Sequence, residues 1–151
     1  MKRIRLALIL LISLSMLLLT FGCRVDYPYP FDQNFDNIEK VSLHRVEEDH
    51  PHGWYAETSW LEDIELESAK EMLGKLEQLK VREHFGDHIT TFGYFVLFVL
   101  YQDGTTEVIG APNCATIDQD GNWTLKNLYF SYEEWTAVVS QYVETDLTAE
   151  L

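Results

Sequence analysis

Hydrophobic positions run almost unbroken from Phe92 to Tyr101, in the stretch FGYFVLFVLYQDGTTEVI over 92–109. Side chains of an extended chain alternate between faces. Phe92, Tyr94, Val96, Phe98 and Leu100 therefore point one way, and Phe95, Leu97, Val99 and Tyr101 the other. Apolar residues on both sides, mostly aromatic and β-branched, predict a central strand covered on both faces. Asp103-Gly104 interrupts the pattern and residues 105–109 resume it. Asp-Gly between two such runs predicts a hairpin, because its central turn positions favour positive φ.

The rest of the pattern supplies elements to cover this ribbon. Ile38, Val41, Leu43 and Val46 predict a strand over 38–46, followed by a polar loop over 47–53. Residues 54–61 predict a second strand, extendable through Ile64 and Leu66. Ala69, Met72, Leu73, Leu76 and Leu79 fall on one helical face, predicting a helix over 67–80. Gly74 inside it costs up to about 1 kcal/mol relative to alanine, and residues 62–68 offer no clean N-cap. Residues 84–91 read as a loop. Residues 114–117 and 122–125 flank Asp120-Gly121 as a second hairpin. Ser131 and Glu134 have capping-box spacing, with Phe130 and Trp135 placed as a hydrophobic staple. Trp135, Val138, Val139 and Tyr142 form the stripe of this last helix, and a polar tail follows Val143. The order β-β-α-β-β-β-β-α predicts an α+β domain: an antiparallel sheet packed by two helices in two layers.

A chain of 151 residues, 46% hydrophobic, is long and apolar enough for one domain with a real core. It carries 11 basic against 25 acidic residues. Three of the basic residues (Lys2, Arg3, Arg5) precede the first apolar run, which leaves eight against 25, a net of −17. So acidic a body, with no basic cluster in its sequence beyond residue 5, excludes nucleic acid as a partner. It also predicts no electrostatic adhesion to an anionic membrane surface.

The N-terminus changes the picture. Lys2, Arg3 and Arg5 form a positive region, 6–21 is almost wholly apolar, and Gly22-Cys23 follows. This is the layout of a secretory signal peptide, and the run falls short of the ~20 apolar residues that span a bilayer comfortably. The segment Leu19-Thr20-Phe21-Gly22-Cys23 resembles the lipobox of bacterial lipoproteins. The resemblance implies cleavage before Cys23 and attachment of lipid to its sulfur, and hence anchoring at the bacterial cell envelope, on the outer face of the cytoplasmic membrane or in the periplasm. The domain plan is then a signal peptide over 1–22, the lipidated Cys23 with an extended tether over 23–35, the α+β domain over 36–145 and a polar tail over 146–151. Tyr27-Pro28-Tyr29-Pro30 supports the tether, because proline disfavours helix and stiffens an extended path. The rival readings are an ordinary signal peptide, an uncleaved signal anchor and, for Cys23, a disulfide with Cys114.

Chemistry-bearing residues are few. His50 and His52 in one loop, and His84 and His88 in another, could supply imidazole to a metal. No HExxH or CxxC pattern accompanies them, and Gly86 interrupts the second pair. Cys114 could act as a thiol nucleophile, but no helix N-terminus follows to lower its pKa, so a structural thiol is expected. Asp118, Asp120 and Asn122 read as a hairpin turn, since Gly121 is misplaced for a calcium loop. Trp54, Tyr55, Trp60, Tyr27 and Tyr29 could line a binding surface. The expected function is that of a lipid-anchored, non-catalytic binding or interaction domain without cofactor, taking a protein or small-ligand partner. The alternatives are an envelope enzyme or metal protein built on the histidine loops, and an inhibitor-like domain.

Overall fold

The computed structural model describes residues 27–49, 55–83, 95–111, 114–126 and 128–148. Nine strands and two helices are present among them. The strands are β1 (Tyr27–Pro28), β2 (Ile38–Asp49), β3 (Tyr55–Ile64), β4 (Lys80–Glu83), β5 (Phe95–Tyr101), β6 (Thr106–Gly110), β7 (Cys114–Ile117), β8 (Trp123–Leu125) and β9 (Leu128–Tyr129). The helices are α1 (Leu66–Gln78) and α2 (Tyr132–Val139). Six strands form an antiparallel sheet in the order β3-β2-β5-β6-β7-β8, and β1-β4-β9 form a small second one. Taken through the large sheet and the helices, the order is the predicted β-β-α-β-β-β-β-α, and the fold is α+β.

The two-faced run is β5, and it lies inside the sheet between β2 and β6. Phe95, Leu97, Val99 and Tyr101 are buried on one face. That face also carries Ile38, Val41, Leu43 and Ile109, and it packs with Ala69, Met72, Leu73 and Leu76 of α1 and Trp135 and Val139 of α2. Register pairs Ser42 with Phe98, Phe98 with Val108, and Val108 with Ala115, so these define the opposite face. There Val96, Val108 and Ala115 form a separate buried cluster, flanked by Phe98, Ile117, Trp123 and Leu125.

The turns follow from their residues. Tyr101 N donates to Thr105 O and Gly104 N to Tyr101 O, so the first hairpin closes on three residues rather than on Asp-Gly alone. Gly104 supplies φ +85°. Asp118 N donates to Asn122 O and Gly121 N to Asp118 O, repeating the arrangement with Gly121 at φ +84°. The helix starts depart from the sequence reading. Glu65 is the N-cap of α1, its carboxylate accepting from Ser68 N at 2.9 Å. Glutamate reaches what the shorter capping residues usually reach. Ser131 stands at the N-cap of α2 as expected, but its hydroxyl makes no capping hydrogen bond. The staple partners Phe130 and Trp135 are both buried.

Two expected boundaries are corrected. The segment from Tyr27 is not a free spacer: β1 pairs with β4, and Tyr29 is 1% exposed among core residues. The C-terminal segment is not simply a polar tail either. Leu147 is 2% exposed, and Glu62 of β3 accepts from Glu144 N, Thr145 N and Thr145 Oγ1. Burial opposes ionisation of Glu62, but these three donors outweigh it and hold the carboxyl below its ordinary range. The loop read over 84–91 lies outside the described residues.

Gly74 sits in α1 without needing its freedom. A Cβ there would meet only the Phe35 ring, at 4.0 Å, which is ordinary contact. Gly74→Ala is therefore expected to raise stability by about 0.5–1 kcal/mol, read from the urea midpoint at unchanged m-value. A loss of stability would show that this helix face is more tightly packed than described.

Candidate functional site

Two places concentrate polar or aromatic groups beyond what packing alone asks. The first is buried. Alternation puts Glu107 of β6 on the helix-covered face beside Ile109, and its side chain has no solvent exposure. A bare carboxylate there would be untenable, so its partners are decisive. Tyr29 Oη donates to Oε1 at 2.8 Å and Tyr101 Oη to Oε2 at 2.6 Å. The amide of Asp32 approaches Oε2 at 3.4 Å. Lys126, only 12% exposed, pairs with Glu107 and with Asp32 at 2.9 Å, and lies 5.1 Å from the Tyr29 ring centre. Thr116 donates to the other oxygen of Asp32 at 2.7 Å. Burial first, and then the nearby Cys114 and Glu107, push the Tyr29 phenol well above its ordinary pKa. Burial and Glu107 do the same to Tyr101. Both phenols are thus neutral donors, and together with Lys126 they hold the buried Glu107 carboxylate in a polar knot.

The second is the face of the sheet that the helices leave uncovered. Trp60 on the edge strand β3 is 58% exposed, and its indole donates to Asp63 at 2.8 Å. Trp60 pairs with His44 across the β2–β3 ladder. The His44 ring lies 4.2 Å from Phe98, and Trp123 meets Phe98 edge-on at 6.3 Å. His44 Nε2 is 2.9 Å from Ser42 Oγ, while its buried Nδ1 has no partner among the described residues. Burial lowers the His44 pKa; Asp63 opposes this and Lys40 reinforces it. At neutral pH the ring is an uncharged member of an aromatic row running from Trp60 through His44 and Phe98 to Trp123.

The residues singled out from sequence fall as follows. Cys23, His50, His52, His84, His88 and Trp54 lie outside the described residues, and so does the side chain of Tyr55. Among the described residues no three histidine, cysteine or acidic side chains gather as a metal site. Cys114 is a free, buried thiol whose Sγ is 3.7 Å from Gly110 O, and burial pushes its pKa up to about 12. That is the reverse of an activated nucleophile. Asp118 holds a hairpin turn, accepting from the amides of Asp120 and Asn122. Of the aromatics, Tyr29 is core, Tyr27 is half-buried against it and Trp60 is exposed. His44, Phe98 and Trp123 were not picked out by sequence. The available signal was their shared parity with Val96 and Val108 on the second sheet face.

Compared with protein-family models, with curated proteins and with solved structures, the chain matches none.

Glu107→Gln leaves Lys126 without its buried carboxylate and is expected to cost on the order of 3 kcal/mol. Tyr29→Phe, which removes one donor to a charged acceptor, should cost about 1–2 kcal/mol, and the double variant less than the sum. Additive losses in urea unfolding would show that the knot does not act as a unit. His44 has a folded pKa below its unfolded value. Its contribution is therefore complete above about pH 6.5 and is lost as pH falls through the lower folded value. His44→Phe should flatten the stability profile in that window, while leaving the carboxylate-driven fall at lower pH in place.

Proposed function

We propose that the chain is a membrane-anchored extracytoplasmic lipoprotein whose folded body is a non-catalytic binding domain. The position of Cys23 directly behind an apolar run supports the anchor. Among the described residues no helix is long and apolar enough to cross a membrane. The observation that carries the binding reading is the aromatic row on the sheet face that the two described helices leave uncovered, ending at the exposed Trp60. Large aromatic side chains give much contact area for little conformational entropy, which suits recognition. Here they are rimmed by Lys40 and Asp63, an exposed ion pair at 2.9 Å. The row fits a protein or small-ligand partner with an apolar surface. The buried, high-pKa Cys114 argues against the thiol-enzyme alternative.

The test is a photoreactive amino acid in place of Trp60, expressed in a bacterium that processes lipoproteins. A discrete adduct is expected on illumination. It should be lost when Phe98→Ala and Trp123→Ala break the row, and reduced when Cys23→Ala removes the anchor. Absence of any adduct, or the same adduct from a probe at Glu133 on α2, would contradict a binding role for this face.

A further inference from the structure

Lys126 is held where an ammonium rarely rests. Its side chain is 12% exposed, and Nζ touches two carboxylates: that of Asp32 at 2.9 Å, and that of Glu107, which has no exposure at all. Its other contacts are the Pro30 carbonyl at 3.5 Å and the face of the Tyr29 ring. One cation against two carboxylates leaves one negative charge in excess. Taking charges out of water is costly even when they are paired. Of the two carboxylates, water reaches Asp32, whose side chain is 41% exposed. An uncharged link between Lys126 and Glu107 removes the buried charges and leaves the excess on Asp32.

The same contacts suit the making of that link. An amine and a carboxyl group condense poorly in water, but holding them in a reactive orientation is worth effective molarities of about 10⁵–10⁸ M. Donors already surround the Glu107 carboxyl group: Tyr29 on Oε1, Tyr101 on Oε2, and the Asp32 amide approaching Oε2. Donors so placed stabilise the negative oxygen of a tetrahedral intermediate. Asp32 Oδ1, at 2.9 Å from Nζ, stands where a proton acceptor is needed. Thr116 donates to Asp32 Oδ2 at 2.7 Å and so fixes the orientation of that carboxylate.

We propose that Lys126 and Glu107 condense to an intramolecular isopeptide bond, with Asp32 as the proton acceptor. One ammonium proton passes to Oε1 of Glu107, which leaves a neutral amine facing a carboxylic acid. Nζ bonds to Cδ while the carbonyl electron pair moves onto Oε2, beside Tyr101. Asp32 takes a second proton from Nζ and returns it to the hydroxyl at Oε1. That hydroxyl departs as water as the carbonyl re-forms. The third proton stays as the amide N–H and donates to Asp32. Nothing besides the two side chains is consumed, and the net charge does not change. The bond closes a ring over residues 107–126, and clamps the β8 edge of the large sheet to β6.

The test is a peptide mass measurement on the chain expressed in a bacterium, unfolded and cut with a protease that cleaves before aspartate. Cuts at Asp118 and Asp120 put residues 107 and 126 on separate peptides. A species with their summed mass less one water is expected, with fragmentation placing the link between Lys126 and Glu107. Lys126→Arg should give the separate peptides alone. A placed proton acceptor contributes on the order of 10²–10⁴ in rate, so Asp32→Asn should slow joining at least about hundred-fold in a time course from synthesis. Separate peptides from the unaltered chain would overturn the proposal, and that result needs no variant to fold. A loss of water that persists in Lys126→Arg would overturn it too, since succinimide at Asp103-Gly104 or Asp120-Gly121 gives the same mass change. A link from Lys126 to Asp32 would overturn the choice of Glu107, and an unchanged rate in Asp32→Asn the role of Asp32. None of these readouts depends on the anchoring or binding proposals.

Discussion

A carboxylate with no access to water must find its hydrogen bonds inside the protein, and Glu107 finds them at a distance in sequence. Tyr29 is 78 positions away and Asp32 is 75. Lys126 arrives from the stretch between β8 and β9 and balances the charge. Breaking such a set by removing one member leaves a buried charge uncompensated, which is far more costly than never having buried it. The dependence runs both ways. The sheet needs the N-terminal segment to satisfy Glu107, and the segment needs Glu107 to stay docked. Tyr29 also packs its ring on Phe31 and Phe130, with centroids 4.9 and 5.0 Å apart, so its end of the polar knot lies against an aromatic layer.

The same sheet has two characters. On one face the helices bury a continuous apolar core around β5. On the other, among the described residues, Val96, Val108 and Ala115 form a small cluster, and the aromatic row borders it. Under the proposed binding role, stability and recognition fall on opposite sides of a shared set of strands.

Much of this was legible in the sequence. The apolar residues at both parities of 92–101 placed β5 inside the sheet, although the helices cover only one of its faces, and the two Asp-Gly sequences placed the hairpins. The one-sided spacing of Ala69, Met72, Leu73 and Leu76 gave α1. The failures share a physical cause, which is that long-range partners leave no local pattern. Tyr-Pro-Tyr-Pro was legible as extended but not as buried, because what buries Tyr29 is a carboxylate most of a chain away. One sign was present: Glu107 shares parity with Ile109, so it had to point into the helix-covered core and needed donors from somewhere. Nothing local marks Leu147 as buried, because what holds its segment, Glu62 accepting from the amides of Glu144 and Thr145, is likewise non-local. The aromatic row was hidden because it is made by register across four strands, not by spacing along one.

The claim that most of this rests on is that residues 27–33 are part of the fold. Native-state hydrogen exchange of the chain tests it most directly. The amides of 27–33, that of Asp32 among them, should exchange far more slowly than in an unstructured peptide, and their protection should fall together with that of β5 as Glu107 is replaced by glutamine. Exchange of this segment at the rate of a free peptide, with β5 still protected, would contradict the account and return the segment to the role of a spacer.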